Sequence, residues 1–228
     1  MFKQNVKGQM KLDLVVFDLD GTLVSSHETI YLATIYTLKQ INIKEELPHD
    51  KFMTRIGWHF EDIFGEFGIP VKDFEEFIKI YKSVYFDYID SSGLYPGVNE
   101  ILDYLKSRNI KTALLTTKGQ DQAEKISEYF KISSKLNYVM GRRPGIAHKP
   151  SPEPLLKICK DLSAEPGNTM MVGDSEMDVQ CGKNANSKTC GVTYGYRTKE
   201  NLEFEQPDFI IDNIKELLYI PGVNGTSG

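Results

Sequence analysis

The chain has 228 residues and a formal net charge of −5, from 27 basic and 32 acidic side chains. Its composition, 40% hydrophobic and 26% charged, is typical of a soluble globular protein. No apolar run approaches the roughly 18 residues of a membrane span, no secretory signal is visible, and no basic block suits nucleic acid. The 3 cysteines do not suggest a disulfide framework. We therefore expect a cytoplasmic protein whose partner is neither a membrane nor a nucleic acid; nothing in the sequence indicates an oligomeric state.

The first chemical feature is a pair of acids directly after an apolar run. Residues 12–17 are short, apolar and rich in valine, which predicts a parallel strand covered on both faces. Asp18 and Asp20 follow, and Gly21 allows a sharp turn. Ligands of open α/β sheets gather at the carboxyl ends of strands, so these carboxylates are candidate site residues. The alternative is a solvated turn in which Asp and Gly only end the strand.

The segment 24–94 has almost no strand character and predicts a helical insert. Apolar spacing predicts helices over residues 27–41, 50–56, 60–67 and 71–90. Ser25 and Glu28 resemble a capping box at the start of the first helix. The aromatic residues of the segment are predicted to form a core rather than a binding surface. They are Trp58, Phe60, Phe64, Phe67, Phe74, Phe77 and Tyr81.

From residue 95 onward, predicted strands and helices alternate. Strands are predicted over 111–116, 138–140, 169–172, 189–192 and 209–211, and helices around 98–105 and over 120–130, 152–161 and 176–183, before a short C-terminal helix. This alternation implies βα units, right-handed crossovers and a parallel sheet. The predicted fold class is α/β: a doubly wound parallel sheet from residues 11–23 and 95–220, with an all-helical insert over 24–94 after the first strand. Residues 1–10 and 221–228 are predicted to be flexible termini.

Several strand ends carry side chains that a doubly wound sheet would bring together. They are Asp18 and Asp20, then Thr116, Thr117 and Lys118, then Lys149, and finally Asp174 and Asp178. Carboxylates, a hydroxyl and a cation suit phosphoryl transfer, in which the protein mainly positions and neutralises a phosphate. Each has an ordinary alternative: Thr116 as a β-branched strand residue, Lys149 as a surface lysine, and the last two acids as favourable charges at a helix N-terminus. Together, these alternatives require coincidences at four strand ends.

Four segments, in this order, resemble the motifs of the haloacid dehalogenase superfamily of phosphatases. They read FDLDGTL (17–23), LLTTK (114–118), KPSPEPLL (149–156) and MMVGDSEMDV (170–179). The segments GVTYGY (191–196) and YPGV (95–98) resemble the phosphoglycolate phosphatase branch. The resemblance extends from residue 12 to about residue 218. It implies a Rossmann-like core with a small helical cap over residues 24–94.

The resemblance also implies a mechanism and a cofactor. Asp18 would attack phosphorus and form an aspartyl-phosphate. Asp20 would protonate the leaving alcohol and later activate water. The implied cofactor is Mg²⁺, held by Asp18, by the main-chain carbonyl of Asp20 and by Asp174. A divalent cation among them would explain how acids can crowd at the end of a buried strand.

The same resemblance implies partners for the phosphate. Thr116, with Thr117 beside it, would bind the phosphoryl oxygens, and Lys149 would offset their charge. Asp178 would hold Lys149 or the waters of the metal in place. In the cap, Arg55 is a candidate contact for a small carboxylate such as that of 2-phosphoglycolate. The alternative for Arg55 is an exposed position on a helix.

The predicted function is Mg²⁺-dependent hydrolysis of a small phosphorylated metabolite, a phosphoglycolate-like phosphomonoester. The alternative is a pyrophosphatase or a sugar-phosphate mutase of the same family. A phospho-receiver domain must keep its phosphate and has no use for Asp20, and a dehalogenase that attacks carbon needs neither Asp20 nor a metal. An interaction protein on a dead phosphatase fold would be expected to lack one of the acids or Lys149, and all are present.

Overall fold

The computed structural model describes residues 10–223. Within this range the chain forms the strands β1 (Leu14–Phe17), β2 (Val24–Ser25), β3 (Gly93–Leu94), β4 (Lys111–Gly119), β5 (Tyr138–Arg142), β6 (Thr169–Gly173), β7 (Lys188–Val192) and β8 (Phe209–Ile211). Among the described residues, β1 and β4 to β8 form one 6-stranded sheet in the order β5-β4-β1-β6-β7-β8. Its neighbouring strands all run parallel. The predicted α/β fold class is confirmed.

Strand β1 lies in the middle of the sheet because all its residues are apolar and buried. Its residues alternate between the hydrophobic clusters on the two faces of the sheet. Phe17, the last residue of β1, lies opposite Leu114 of β4 and Val172 of β6. The residues that follow these three positions therefore meet at one edge of the sheet, which we call the carboxyl edge.

Helices connect the strands. They are α1 (His27–Gln40), α2 (His49–Met53), α3 (Phe60–Phe67), α4 (Phe74–Val84), α5 (Val98–Ser107), α6 (Gln120–Tyr129), α7 (Glu153–Asp161), α8 (Glu176–Asn184) and α9 (Lys199–Phe204). Each predicted helix has a counterpart, although the short C-terminal one is a 3₁₀ helix over Ile214–Tyr219; helix α9 was not predicted. Of the helices in residues 10–223, none has the length and apolar character to cross a bilayer.

The cap, residues 24–94, contains α1 to α4 and is closed at its base by a short antiparallel pair of strands. Val24 of β2 pairs with Leu94 of β3, and Ser25 pairs with Gly93. The expectation that the insert is entirely helical is therefore wrong at its two ends. Strands this short leave no alternating pattern in the sequence, so periodicity could not reveal them.

The long helix predicted over residues 71–90 is two elements in the structure. Helix α4 begins at Phe74 because Asp73 caps it, accepting a hydrogen bond from the main-chain nitrogen of Glu76 (2.9 Å). After Val84, the chain continues as a 3₁₀ helix over Tyr85–Ser91. The tighter turn ends the α-helix before the position that apolar spacing indicated.

The aromatic residues of the cap pack mainly against one another, as predicted. Ring contacts join Phe60, Phe64, Phe74, Phe77 and Tyr81. The prediction is wrong for Trp58, which is 40% exposed, and Phe60 and Tyr81 also line the cavity described below.

The chain termini differ in part from the prediction. Residues 1–9 and 224–228, predicted to be flexible, lie outside the described residues. Residues 221–223 form a turn, and Val223 is buried in the main hydrophobic cluster. The flexible C-terminal segment predicted from residue 221 is therefore wrong for these three residues, because Val223 has an apolar site to fill.

Candidate active site

The carboxyl edge brings Lys149 into contact with two of the predicted acids. Its ammonium nitrogen lies 2.5 Å from Oδ1 of Asp18 and 2.5 Å from Oδ1 of Asp178. The lysine is only 3% exposed. Burial lowers the pKa of Lys149, but the carboxylates of Asp178 and Asp18 outweigh it and raise this pKa above its ordinary value. Lys149 is therefore a permanent positive charge between two buried acids.

Three acids form a buried cluster at this edge. One oxygen from each of Asp18, Asp174 and Asp178 lies within 4.8 Å of the others. Burial raises the pKa of Asp18 well above its ordinary value, although the charge of Lys149 opposes this rise. Burial first, and then the Asp178 carboxylate, raises the pKa of Asp174 to about 7. One lysine cannot balance three carboxylates, so the cluster is suited to a further cation.

Asp174 is held in place by main-chain geometry. Its Oδ2 accepts a hydrogen bond from the main-chain nitrogen of Tyr196 (2.7 Å), and its Oδ1 lies 3.5 Å from the Thr22 hydroxyl, which donates to it. A Cβ atom at Gly21 or Gly195 would overlap the Asp174 carboxylate. Gly21 also has a φ of +83°, which side chains rarely adopt. The glycine of the first motif therefore makes room for an acid of the fourth.

Asp178 is oriented by the start of helix α8. Its Oδ2 accepts from the main-chain nitrogen (3.1 Å) and the hydroxyl (2.6 Å) of Ser175, which forms a capping box with it. Its other oxygen faces Lys149. Both oxygens of Asp178 are engaged by protein donors, so this side chain is suited to orienting Lys149.

Asp20 is not part of the acid cluster and is held by two donors. The hydroxyl of Ser26 donates to its Oδ1, and the ammonium of Lys118 lies 3.2 Å from its Oδ2. The main-chain nitrogen of Ser26 in turn donates to the hydroxyl of Tyr196 (2.9 Å). The carboxylate of Asp20 is therefore fixed beside the cap.

Sequence reasoning missed this role of Ser26. The capping box predicted from Ser25 and Glu28 is wrong, because α1 begins at His27 and its N-cap residue is Ser26. The side chain of Ser26 makes no capping hydrogen bond. Its hydroxyl serves Asp20 instead. The sequence does show a hydroxyl residue between the first strand and the first helix. Local rules assign such a hydroxyl to capping the helix, not to a contact with Asp20.

The two threonines of the second motif have different surroundings. Thr116 is 4% exposed, and its hydroxyl accepts a hydrogen bond from the main-chain nitrogen of Lys118 (3.2 Å). The hydroxyl of Thr117 donates across to the main-chain oxygen of Gly57 in the cap (3.4 Å). Thr116 lines a small cavity together with Lys149, whereas Thr117 contacts the cap. Phosphate binding by either threonine stays a prediction.

Cap and core are joined through Glu176, the first residue of α8. Its carboxylate accepts from the indole nitrogen of Trp58 (2.9 Å) and from Nε of Arg197 (2.9 Å). The guanidinium of Arg197 also donates to the main-chain oxygen of Ile56 (3.2 Å). These contacts join the cap to the start of α8 and to the segment that follows β7.

Arg55, the candidate cap contact, has another partner. Its Nε and Nη2 donate to the two carboxylate oxygens of Glu66, each at 2.7 Å. Its guanidinium also lies over the ring of Trp58, 5.1 Å from the centroid. Arg55 does not line the cavity described next. The structure therefore gives it a role within the cap, and its proposed contact with substrate finds no support.

A cavity of about 550 Å³ lies between the cap and the core. Asp20, Thr117 and Lys118 line it on the core side, and residues of α1 to α4 line it from the cap. Asp18, Thr116 and Lys149 are not among its lining residues. Asp20 therefore lies between the buried charge cluster and this cavity.

Comparison with known proteins shows the family and the fold of the chain. Residues 15–192 match the family described as haloacid dehalogenase-like hydrolase. The pyrophosphatase PpaX of Bacillus cereus is 32% identical over 219 residues, covering 92% of this chain and 97% of the relative. The crystal structure of a predicted phosphoglycolate phosphatase from Haemophilus somnus has a TM-score of 0.79 and 28% identity, covering 91% of this chain and 97% of the other.

A further structure shares the fold at lower identity. A haloacid dehalogenase-like family hydrolase from Streptococcus pneumoniae has a TM-score of 0.82 at 23% identity, covering 91% of this chain and 97% of the other. The chain belongs to the haloacid dehalogenase-like hydrolase family. The resemblance seen in the four motifs is thereby confirmed.

Proposed function

We propose that the protein is a Mg²⁺-dependent phosphatase that hydrolyses a small phosphorylated metabolite through an aspartyl-phosphate on Asp18. The buried cluster of Asp18, Asp174 and Asp178 around Lys149 carries this proposal. Such a set places a nucleophile, a fixed cation and a metal-binding acid within a few ångströms. The family supports the reaction class.

The first step is attack on phosphorus by a carboxylate oxygen of Asp18. The bond from phosphorus to the leaving oxygen breaks, and Asp20 gives that oxygen a proton, so the alcohol leaves uncharged. Lys149 and the hydroxyl of Thr116 stabilise the charge on the phosphoryl oxygens. Ser26 and Lys118 keep the Asp20 carboxylate aimed at the leaving group.

The second step returns the enzyme to its starting state. Asp20, now ionised, takes a proton from water while the water oxygen attacks phosphorus of the aspartyl-phosphate. The acyl–phosphate bond breaks, inorganic phosphate leaves, and the Asp18 carboxylate is restored. The closed cap limits entry of other water to the site.

The donor set fits the implied cation. Asp18 and Asp174, with the main-chain carbonyl of Asp20, offer the hard oxygen ligands that Mg²⁺ prefers. Repulsion among the acids, which contributes to the raised pKa of Asp174, would be relieved by it. When bound, Mg²⁺ supplies positive charge that offsets that of the phosphate and the acids.

The test is detection of the covalent intermediate. The protein is mixed with substrate and Mg²⁺, quenched in acid and digested, and phosphate is mapped by mass spectrometry. We expect phosphate on Asp18, at a higher level in Asp20→Asn if only the second step is blocked. Phosphate on a Ser, Thr or His side chain would refute the assignment.

Pyrophosphate hydrolysis is the second candidate, favoured by the name of the Bacillus cereus relative. The chemistry at Asp18 would be the same, with phosphate as the leaving group. A direct comparison of inorganic pyrophosphate with 2-phosphoglycolate decides between the two. The proposal predicts turnover of the ester at the higher kcat/KM.

We expect Mg²⁺ to stabilise the protein more at pH 8 than at pH 6. The pKa of Asp174 is raised to about 7, above its unfolded value, so the metal-free fold loses stability as the pH rises from about 4 to about 7. Mg²⁺ binds the ionised form of Asp174, so bound Mg²⁺ restores the lost stability above pH 7. Thermal unfolding with Mg²⁺ or with EDTA at both pH values measures the difference. The extra stabilisation by Mg²⁺ at pH 8 should disappear in Asp174→Asn. Equal stabilisation at both pH values would argue against a Mg²⁺ site at these acids.

We expect Gly21→Ala to weaken both Mg²⁺ binding and turnover by more than about tenfold. Gly145→Ala is the matched control, because Gly145 has a similar φ of +77° but no atom within 4 Å of an added Cβ. Both variants pay a similar backbone strain. Only the Cβ atom added by Gly21→Ala would overlap the Asp174 carboxylate. Equal losses in the two variants would show that backbone strain alone is responsible.

A further inference from the structure

The position of the cavity defines which part of a substrate it receives. On the proposed function, phosphorus lies at Asp18 and the leaving oxygen faces Asp20. Asp20 lines the cavity, whereas Asp18, Thr116 and Lys149 do not. The cavity is therefore the site of the leaving group, and the identity of that group depends on its walls.

The size of the cavity exceeds what the predicted substrate needs. Its volume of about 550 Å³ lies within the roughly 300–1,000 Å³ of sites for drug-sized ligands. Glycolate and phosphate each contain only a handful of non-hydrogen atoms. Much of its wall is apolar or aromatic, and this part comes mainly from the cap: Ile30, Trp58, Phe60, Ile63, Ile78 and Tyr81. Such a wall is suited to a flat organic group.

The charges around the cavity do not favour an anionic leaving group. Lining acids and bases are equal in number, with four of each. Lys118 is paired with Asp20 and Lys82 with Asp121, each at 3.2 Å. The guanidinium of Arg142 donates to a ring nitrogen of His59 (3.1 Å). A carboxylate or a second phosphate would therefore find little net positive charge.

We infer that the cavity binds the uncharged organic part of a phosphomonoester considerably larger than phosphoglycolate. The leaving alcohol has a flat apolar body that lies against the cap. The volume, the apolar wall and the balanced charges carry this inference. Phosphoglycolate and pyrophosphate are then poor substrates.

The first test compares substrates that differ in the leaving group. We propose to measure kcat/KM with Mg²⁺ for phenethyl phosphate, ethyl phosphate, 2-phosphoglycolate and inorganic pyrophosphate. Phenethyl and ethyl phosphate share a primary alkyl oxygen, so their ratio reports binding of the ring. We expect phenethyl phosphate to exceed each of the others by at least about tenfold, as ring burial typically gives.

The outcomes separate this inference from the proposed function. If ethyl phosphate, phosphoglycolate or pyrophosphate is turned over as well as phenethyl phosphate, the inference is overturned and the phosphatase proposal stands. If none is hydrolysed and no phosphate appears on Asp18, both fail.

The second test fills the cavity. Ile78→Trp places a large side chain in the apolar wall, and we expect it to lower kcat/KM for phenethyl phosphate at least about fivefold more than for ethyl phosphate. Ile80→Trp is the control: Ile80 is on the same helix and equally half-buried, but does not line the cavity. Similar changes in both variants would overturn the placement of the leaving group.

Discussion

Replacing Asp18 with Asn should lower kcat by at least about a thousandfold while leaving the fold intact, since losing a nucleophile typically costs several powers of ten. The amide has nearly the shape of the carboxylate but cannot form the aspartyl-phosphate. It also removes one of three crowded negative charges, so the metal-free variant should unfold at the same temperature as the wild type or a higher one. Steady-state hydrolysis of phenethyl phosphate and thermal unfolding measure the two effects.

Asp13→Asn is the matched control for this substitution. Asp13 precedes the same strand at its opposite end, where its carboxylate pairs with Lys11 (2.8 Å) and accepts from Asn168 (2.9 Å). We expect wild-type kcat in this variant. Retention of more than about a tenth of the activity in Asp18→Asn would exclude Asp18 as nucleophile.

Lys149→Met should destabilise the protein by about 3–5 kcal/mol, the usual cost of removing one partner of a buried ion pair. The substitution leaves Asp18 and Asp178 without the ammonium that lies 2.5 Å from each. Turnover should also fall, because the charge of the lysine then no longer offsets that of the phosphate. Urea unfolding in EDTA gives the change in the free energy of unfolding.

The loss of stability in Lys149→Met should also depend on pH, which gives a second measurement. Without the lysine, the pKa values of Asp18 and Asp174 rise further, so protonation relieves the repulsion. The loss of stability should be greater at pH 8 than at pH 5, because the carboxyls gain protons as the pH falls. Lys118→Met is the control, since Lys118 faces a single carboxylate at 3.2 Å. If Lys149→Met lowers the free energy of unfolding no more than Lys118→Met does, the central role of Lys149 in the cluster is contradicted.

The strand ends were predictable because they depend on short-range patterns. A run of buried apolar residues predicts where β1 and β6 lie, and parallel strands bring their carboxyl ends together. The convergence of Asp18, Asp174 and Asp178 follows from those two facts. Their roles in catalysis came from the resemblance, and the mutations above test them.

The partners of the cap residues could not be predicted in the same way. Arg55 pairs with Glu66, eleven positions along the chain, through the arrangement of α2 and α3, which no sequence period encodes. Ser26 reaches Asp20 because the chain turns back between β1 and α1. Trp58 was assigned to the core because aromatic residues surround it in the sequence, yet it lines the cavity.

The pair formed by β2 and β3 has a consequence for how substrates can change during evolution. Residues 24 and 94, where the cap leaves and rejoins the core, are direct partners in this pair, so they lie about one strand spacing apart, roughly 5 Å. A segment whose ends lie this close can be lengthened, shortened or replaced without altering the distance that the core must span. The proposed nucleophile and the proposed acid precede this junction, and the other proposed active-site residues of the core follow it. New specificities can therefore arise by exchange of one continuous cassette while the hydrolytic machinery is inherited unchanged.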